Sequence, residues 1–287
     1  MIFIPPPPIL PVMTPATDRK HGSDSSSTVS NGYTMVLPDP TSKISLNKPI
    51  LIAGFPDGGM IGSISINHII ENLSMHQIAS VESQHIMPAA IFIGKRFRHP
   101  FRIYANDSGT LCALVCEVPV IAKGTFSLIN TIIDWSTNAG TREILVLGGI
   151  LPTNFSPPFI DGRKPLLLQN EVRGNTKYVD ETIAEMQMPD EAIIVGLAGS
   201  LLSMCAARNV KCTALMVPTV LSSPDPEGAA IVLEALIKIP LGLRIDTSRL
   251  RKEAETIKKH LNEFMKIRQH QIGELERASS DAERIYR

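Results

Sequence analysis

Pro49-Ile-Leu-Ile-Ala-Gly54-Phe-Pro-Asp57-Gly58-Gly59-Met-Ile-Gly62-Ser63 is the stretch whose reading decides the fold class. Four apolar residues, Ile50 to Ala53, run without alternation and end at a glycine, the pattern of a strand covered on both faces. The glycine turn then opens a helical pattern from Met60 to Leu73. Strand, glycine turn and helix in that order are the opening unit of an α/β domain.

Working outward, further short apolar runs bounded by Gly, Pro or polar residues predict strands at Ile78 to Glu82, Ala90 to Ile93, Arg102 to Ala105, Leu111 to Glu117, Glu143 to Leu147, Ala192 to Gly196 and Cys212 to Val217. Helical periods occupy Thr125 to Ala139, Ser200 to Arg208 and Glu227 to Ile239. The alternation predicts a mixed, largely parallel sheet flanked by helices over residues 47–246. Residues 1–46 are rich in Pro, Ser, Thr and Asp and read as a disordered arm. Residues 247–287 read as a long C-terminal helix, with Asp246 or Thr247 as its N-cap. Alternating steps of four and three from Leu250 through Ala254, Ile257, Leu261, Phe264, Arg268, Gln271, Leu275, Ala278, Ala282 and Ile285 trace a coiled-coil-like stripe. The polar step at Arg268 and Gln271 favours a projecting helix over one packed wholly on its own domain.

Composition narrows the function classes. Twenty-eight basic residues balance 28 acidic ones, so nothing draws the chain to a phosphate backbone or an anionic bilayer, and neither nucleic acid nor membrane is an expected partner. The start, Met1-Ile-Phe-Ile followed by Pro5 to Pro8, carries no basic residue before Arg19 and lacks a secretory pattern, which predicts a cytoplasmic protein. Ala192 to Ala207 is too short and too broken by Gly196 and Gly199 for a bilayer span. Cys112, Cys116, Cys205 and Cys212 read as small buried hydrophobes, with a zinc site as the weaker alternative.

The most enzyme-like feature is the glycine turn 54–62, because glycines let backbone amides approach a phosphate at a helix N-terminus. Against it, the first position of a G-x-G-x-x-G fingerprint is Asp57, an anion. In its favour, Glu82 lies twenty residues beyond Gly62, where a ribose-binding acid belongs. A tight turn with close packing explains the same glycines. His21, His68, His76, His85, His99, His260 and His270 are never paired across a helical turn with an acid between them, and Asp134 and Glu143 do not make an acid-base site. The reading is therefore non-enzymatic, with no cofactor and no metal. A nucleotide- or phosphate-ester-binding enzyme using residues 54–62 is the alternative.

Four stretches, Gly54 to Gly62, Leu145 to Ile150, Gly196 to Leu202, and Asp225 to Ala230 leading on to Leu250-Arg-Lys-Glu-Ala254, together resemble the proteasome assembly chaperone family in its archaeal form. The resemblance implies a single α/β domain, homo-oligomeric and without a cofactor, that binds proteasome α-subunits. Regulators of proteasome α-rings end in a hydrophobic residue, a tyrosine and any last residue, and this chain reads Ile285-Tyr286-Arg287. Those three residues are the expected proteasome-binding site: isoleucine for an apolar recess, tyrosine as a rigid ring with a hydroxyl, and a carboxylate for a lysine.

Overall fold

The computed structural model describes residues 29–31, 34–93, 95–156, 163–170, 186, 188–219 and 223–256. In chain order the strands are β1 (Val29–Asn31), β2 (Thr34–Pro38), β3 (Ile50–Gly54), β4 (His76–Ser83), β5 (Ile91–Ile93), β6 (Arg96–Arg98), β7 (Phe101–Ala105), β8 (Leu111–Cys116), β9 (Glu143–Ile150), β10 (Phe155–Ser156), β11 (Leu166–Gln169), β12 (Glu191–Ala192) and β13 (Cys212–Pro218). The helices are α1 (Ile61–Asn72), α2 (Thr125–Asn138), α3 (Gly196–Ala207) and α4 (Pro226–Lys238), and residues 248–256 are helical as well. Nine strands form one sheet in the order β1-β2-β4-β7-β8-β3-β9-β13-β11, while β5-β6 is a small hairpin and β10-β12 a separate two-stranded pair.

β3 lies at the middle of a parallel block: it pairs with β8 on one side and β9 on the other, and β9 pairs with β13. All five of its residues are buried, as its unbroken apolar run requires. Successive side chains along each parallel strand point to opposite faces. Leu51, Ala53, Ile144, Val146, Ala214 and Met216 enter one core layer, with α2 and α3 packed over it. Ile50, Ile52, Leu145, Leu147, Leu215 and Val217 enter the other, beneath α1 and α4. Each fully buried aliphatic side chain contributes about 1.5–3 kcal/mol, so this two-sided block is the stabilising centre of the fold. All four cysteines are buried, as read. Burial pushes the Cys112 and Cys116 thiols up to about 12, which leaves them packing groups rather than nucleophiles at neutral pH.

Four readings of the sequence change. The sheet is mixed but not largely parallel, because β1, β2, β4, β7 and β11 are attached antiparallel around the parallel block. The arm ends earlier than residue 46: Thr34–Pro38 pairs with β4, and Val36 is buried. Ala192 to Gly196 is not a strand of the sheet. Only Glu191–Ala192 pairs, with Phe155–Ser156, and Gly196 already opens α3. Finally, the C-terminal helix starts on the domain and not free of it: Leu250 is buried in the α1/α4 layer, and the Arg251 guanidinium meets Glu234 at 2.6 Å. Thr247 O accepts the first helical bond, from the Arg251 amide at 3.1 Å, which makes Thr247 the N-cap residue, and Asp246 just before it accepts the Ser248 amide at 2.9 Å. The stripe from Ile257 to Ile285 lies outside the described residues.

Candidate functional site

At the carboxyl ends of β3 and β9 the chain leaves the sheet in opposite directions: from β3 it enters α1 on one face, and from β9 it passes through β10–β12 to α3 on the other. Such a divergence opens a crevice between neighbouring parallel strands. Here the crevice holds a cavity of about 230 Å³ whose lining includes Phe55, Asp57, Gly149, Asn154, Val195 and Ala198. Three of the four stretches quoted for the family resemblance meet at this cavity. The fourth stands behind it, where the Asp225 amide donates to Gly59 O at 2.8 Å.

The glycines are used chiefly to bring backbones together. A Cβ on Gly54 would lie 2.2 Å from Gly62 O, so β3 and the first turn of α1 could not approach as they do. One on Gly149 would lie 2.3 Å from Gly58 O, separating β9 from the turn. This supports the tight-turn reading of residues 54–62. Glu82, which the dinucleotide reading needed beside the turn, is exposed on β4, with β7 and β8 between it and β3. The two do not meet, because the strand that follows α1 is not placed next to β3.

Asp57 instead faces α3. Burial pushes its carboxyl above the ordinary range, and a hydrogen bond from the Ala198 amide in the first turn of α3 acts in the opposite direction. α3 has Val195 at its N-cap and no side-chain cap of its own, so Asp57 supplies from a distant part of the chain an acceptor that the local sequence lacks. Gly196, at φ 75°, is what admits it: a Cβ there would lie 3.1 Å from Asp57 Oδ1. Asp57 Oδ2 is buried and has no hydrogen-bond partner among the described residues.

A carboxyl held above its ordinary value favours folding only while it is protonated. As pH rises past the unfolded value, near 4, the unfolded chain ionises first and folding loses free energy. The full cost stands above the folded value. Asp57→Asn keeps an acceptor for Ala198 and removes the charge. Its melting temperature at pH 7 is therefore expected to exceed that of the wild type, with the gain shrinking towards pH 4. A variant less stable at pH 7 than at pH 4, relative to wild type, contradicts this.

Behind the turn, Asp225 fastens three elements. It caps α4 by accepting the Gly228 amide at 2.9 Å, accepts the Thr219 hydroxyl at 3.0 Å and pairs with Arg163. Burial alone acts to raise its carboxyl, but the Arg163 hydrogen bond, the Gly228 amide and the Arg163 charge outweigh it and hold the group below the ordinary range. Asp225-Pro-Glu was legible as a helix start; Arg163, far away in sequence, was not.

The other titratable groups singled out in the sequence are dispersed. Asp134 pairs with Arg208 on the outer surface, Glu143 accepts the Thr213 hydroxyl at 2.8 Å, and His68 meets Asp246 O at 2.6 Å. Among the described residues no cluster of His, Cys, Asp and Glu could hold a metal, and no helix is long and apolar enough to cross a membrane. Ile285, Tyr286 and Arg287 lie outside the described residues.

Comparison with known proteins places this arrangement. The uncharacterized protein MJ0106 of Methanocaldococcus jannaschii is 28% identical over 223 residues, covering 78% of this chain and 88% of the relative. Among solved structures, Pyrococcus furiosus PbaA, described as an archaeal homolog of proteasome-assembly chaperone, superposes with a TM-score of 0.67 at 23% identity, over 85% of this chain and 96% of its own. PbaB of the same organism, described as an archaeal proteasome activator, gives a TM-score of 0.67 at 24% identity, over 81% and 99%. The profile of the PAC2 family matches residues 51–265, from β3 through the cavity-lining turns and α4 into the C-terminal segment, and the chain belongs to the PAC2 family.

Proposed function

We propose that this PAC2 protein is a non-enzymatic, cytoplasmic proteasome assembly chaperone or α-ring regulator that acts as a homo-oligomer and docks through Ile285, Tyr286 and Arg287. The observation that carries the reading is the family match over residues 51–265, supported by likeness of fold to PbaA and PbaB. The hydrophobic-tyrosine-any ending adds an argument of a different kind, because it concerns a docking peptide and not a fold. Several tails on one oligomer engage several sites at once, so modest single contacts sum to tight binding.

The glycine turn gives the nucleotide alternative little support. Its acid, Asp57, stands at the cavity where a phosphate would have to sit, and Glu82 is remote.

The test is retention of purified proteasome α-subunits by the full chain and by a chain lacking residues 285–287. Loss of binding on deletion is expected, with the fold unchanged and light scattering still above the 31.3 kDa of one chain. Undiminished retention after deletion overturns the docking assignment, and failure of the full chain to retain any α-subunit overturns the proteasome reading.

A further inference from the structure

The β5-β6 hairpin stands apart from the main sheet and makes only slight contact with any other strand or helix. A two-stranded hairpin with nothing against it gains little stability in water. Yet Phe92 and Phe97, paired directly across it with ring centroids 4.9 Å apart, are 60% and 78% exposed. Two large rings left open on a projecting element mark a surface that something covers. Lys95 and Arg96 are exposed beside them and Arg98 is half-buried, and among the described residues none of the three is in an ion pair. No acidic residue occurs between Glu82 and Asp107, so the hairpin is cationic as well as aromatic.

A second apolar surface carries the opposite charge. Along the chain before α3, Glu191, Ile193 and Val195 are exposed while Ala192 and Ile194 between them are half-buried, the alternation of an extended segment with one face open. Leu151 adjoins Ile193 and Val195 at the rim of the cavity, and Asp190 is exposed beside Glu191. Neither acid is in an ion pair among the described residues, and the stretches that meet here, residues 144–156 and 188–207, contain no Lys or Arg.

The two surfaces open at the same end of the sheet. β4 runs antiparallel to β7 and β7 to β8, whereas β8, β3 and β9 are parallel, so the hairpin after β4 and the segment after β9 both lie at the carboxyl end of the parallel block. β8 and β3 separate β7 from β9, about 14 Å at three strand spacings. Within one chain the basic and acidic groups therefore do not meet; a second copy brings them together. Because both surfaces face the same way, a copy turned by 180° meets this one end to end, hairpin on acidic segment twice over, which is an isologous contact. A head-to-tail array would need them at opposite ends.

We infer that the protein pairs with a second copy of itself across a two-fold axis, the Phe92/Phe97 hairpin of each copy covering Ile193 and Val195 of the other, with Lys95, Arg96 and Arg98 facing Asp190 and Glu191. The apolar residues supply the burial, and the charges fix the orientation and oppose hairpin meeting hairpin. This contact gives the homo-oligomer of the proposed function its surface and rests on that part of the reading; it is separate from tail docking.

Light scattering of the full chain reads the contact through charge reversal. Arg96→Glu with Arg98→Glu turns the hairpin net acidic, like the segment it covers; Asp190→Lys with Glu191→Lys turns that segment basic, like the hairpin. Each double variant is expected to show half the wild-type mass, with a dissociation constant raised about tenfold or more and an unchanged melting temperature, since the substituted side chains lie at the surface. Mixed one to one, the two are expected to return to the wild-type mass, because every hairpin then meets a segment of opposite sign. Wild-type mass in either variant alone, or a mixture that does not recover, overturns the proposal and leaves the homo-oligomer reading standing. A wild-type chain that is itself monomeric overturns both. If a reversal variant does not fold, Phe97→Ser decides: half the mass is expected, and wild-type mass overturns the contact.

Discussion

Tyr286→Ala is expected to weaken binding to proteasome α-subunits by about thirtyfold or more per tail, since truncating a central aromatic anchor costs about 2 kcal/mol or more. The prediction follows from treating Ile285, Tyr286 and the Arg287 carboxylate as three contacts in one small pocket. The ring supplies area that loses little entropy on binding, and the hydroxyl supplies a directed bond. Appending one glycine after Arg287 keeps every side chain and moves the terminal carboxylate by about 3.5 Å, out of reach of an unchanged lysine, so it should weaken binding nearly as much. Arg287→Ala should change little, because the motif admits any side chain there. Surface plasmon resonance on immobilised α-rings measures all three, with thermal unfolding as the control for the domain. Wild-type affinity in both Tyr286→Ala and the glycine extension removes the tail from the proposed function and leaves only family and fold to support it.

Arg102→Met is expected to lower the melting temperature by roughly 6–20 °C, from a loss of about 3–5 kcal/mol on breaking a buried ion pair and about 2–4 °C per kcal/mol for a domain of this size. The Arg102 side chain is 0% exposed and its partner Glu117 12%. The guanidinium donates to Glu117 Oε2, to His99 O and, at 3.0 Å, to the Tyr104 hydroxyl. Glu117 in turn accepts from Asn67 Nδ2 of α1 at 2.9 Å, which joins the end of β8 to the helix that leaves β3. Methionine fills the stem volume but leaves a carboxylate and two other acceptors without their donor. Arg102→Met combined with Glu117→Gln removes the uncompensated charge and should recover most of the loss. A single variant melting within about 1 °C of wild type, in calorimetry, shows the network to be idle.

The parallel centre was legible because β3, β9 and β13 are buried on both faces, and their unbroken apolar runs say so directly. Helices α1, α2 and α4 were legible to within a residue or two. The antiparallel flank was harder. Thr34–Pro38 is only five residues long and follows a Pro- and Ser-rich segment, so its composition spoke for a loop while its place beside β4 made it a strand. Ala192 to Gly196 failed for the opposite reason. An apolar run predicts burial, but the place beside β9 in the sheet is filled by β13, and Ile193 and Val195 are left exposed before a helix whose cap comes from Asp57. Asp57 itself was noticed only as an obstacle to a phosphate. Its positive role depends on α3, some 140 residues further along the chain, and no local pattern reports such a pairing.

The central place of β3 has a consequence for biosynthesis. It is the first strand of the parallel block to leave the ribosome, and it receives β8 on one side only after Leu111–Cys116 is made and β9 on the other only after Glu143–Ile150. At about 5–20 residues per second, the roughly one hundred residues from Gly54 to Ile150 take on the order of 5–20 s. Throughout that interval Ile50 to Ala53, apolar on both faces, has at least one unpaired edge. A rare-codon pause placed between Cys116 and Glu143 prolongs the exposure of that edge, whereas the same pause after Pro218 falls when the parallel block already has all four of its strands. Translation speed over that one interval therefore bears on the yield of folded protein without altering a single residue.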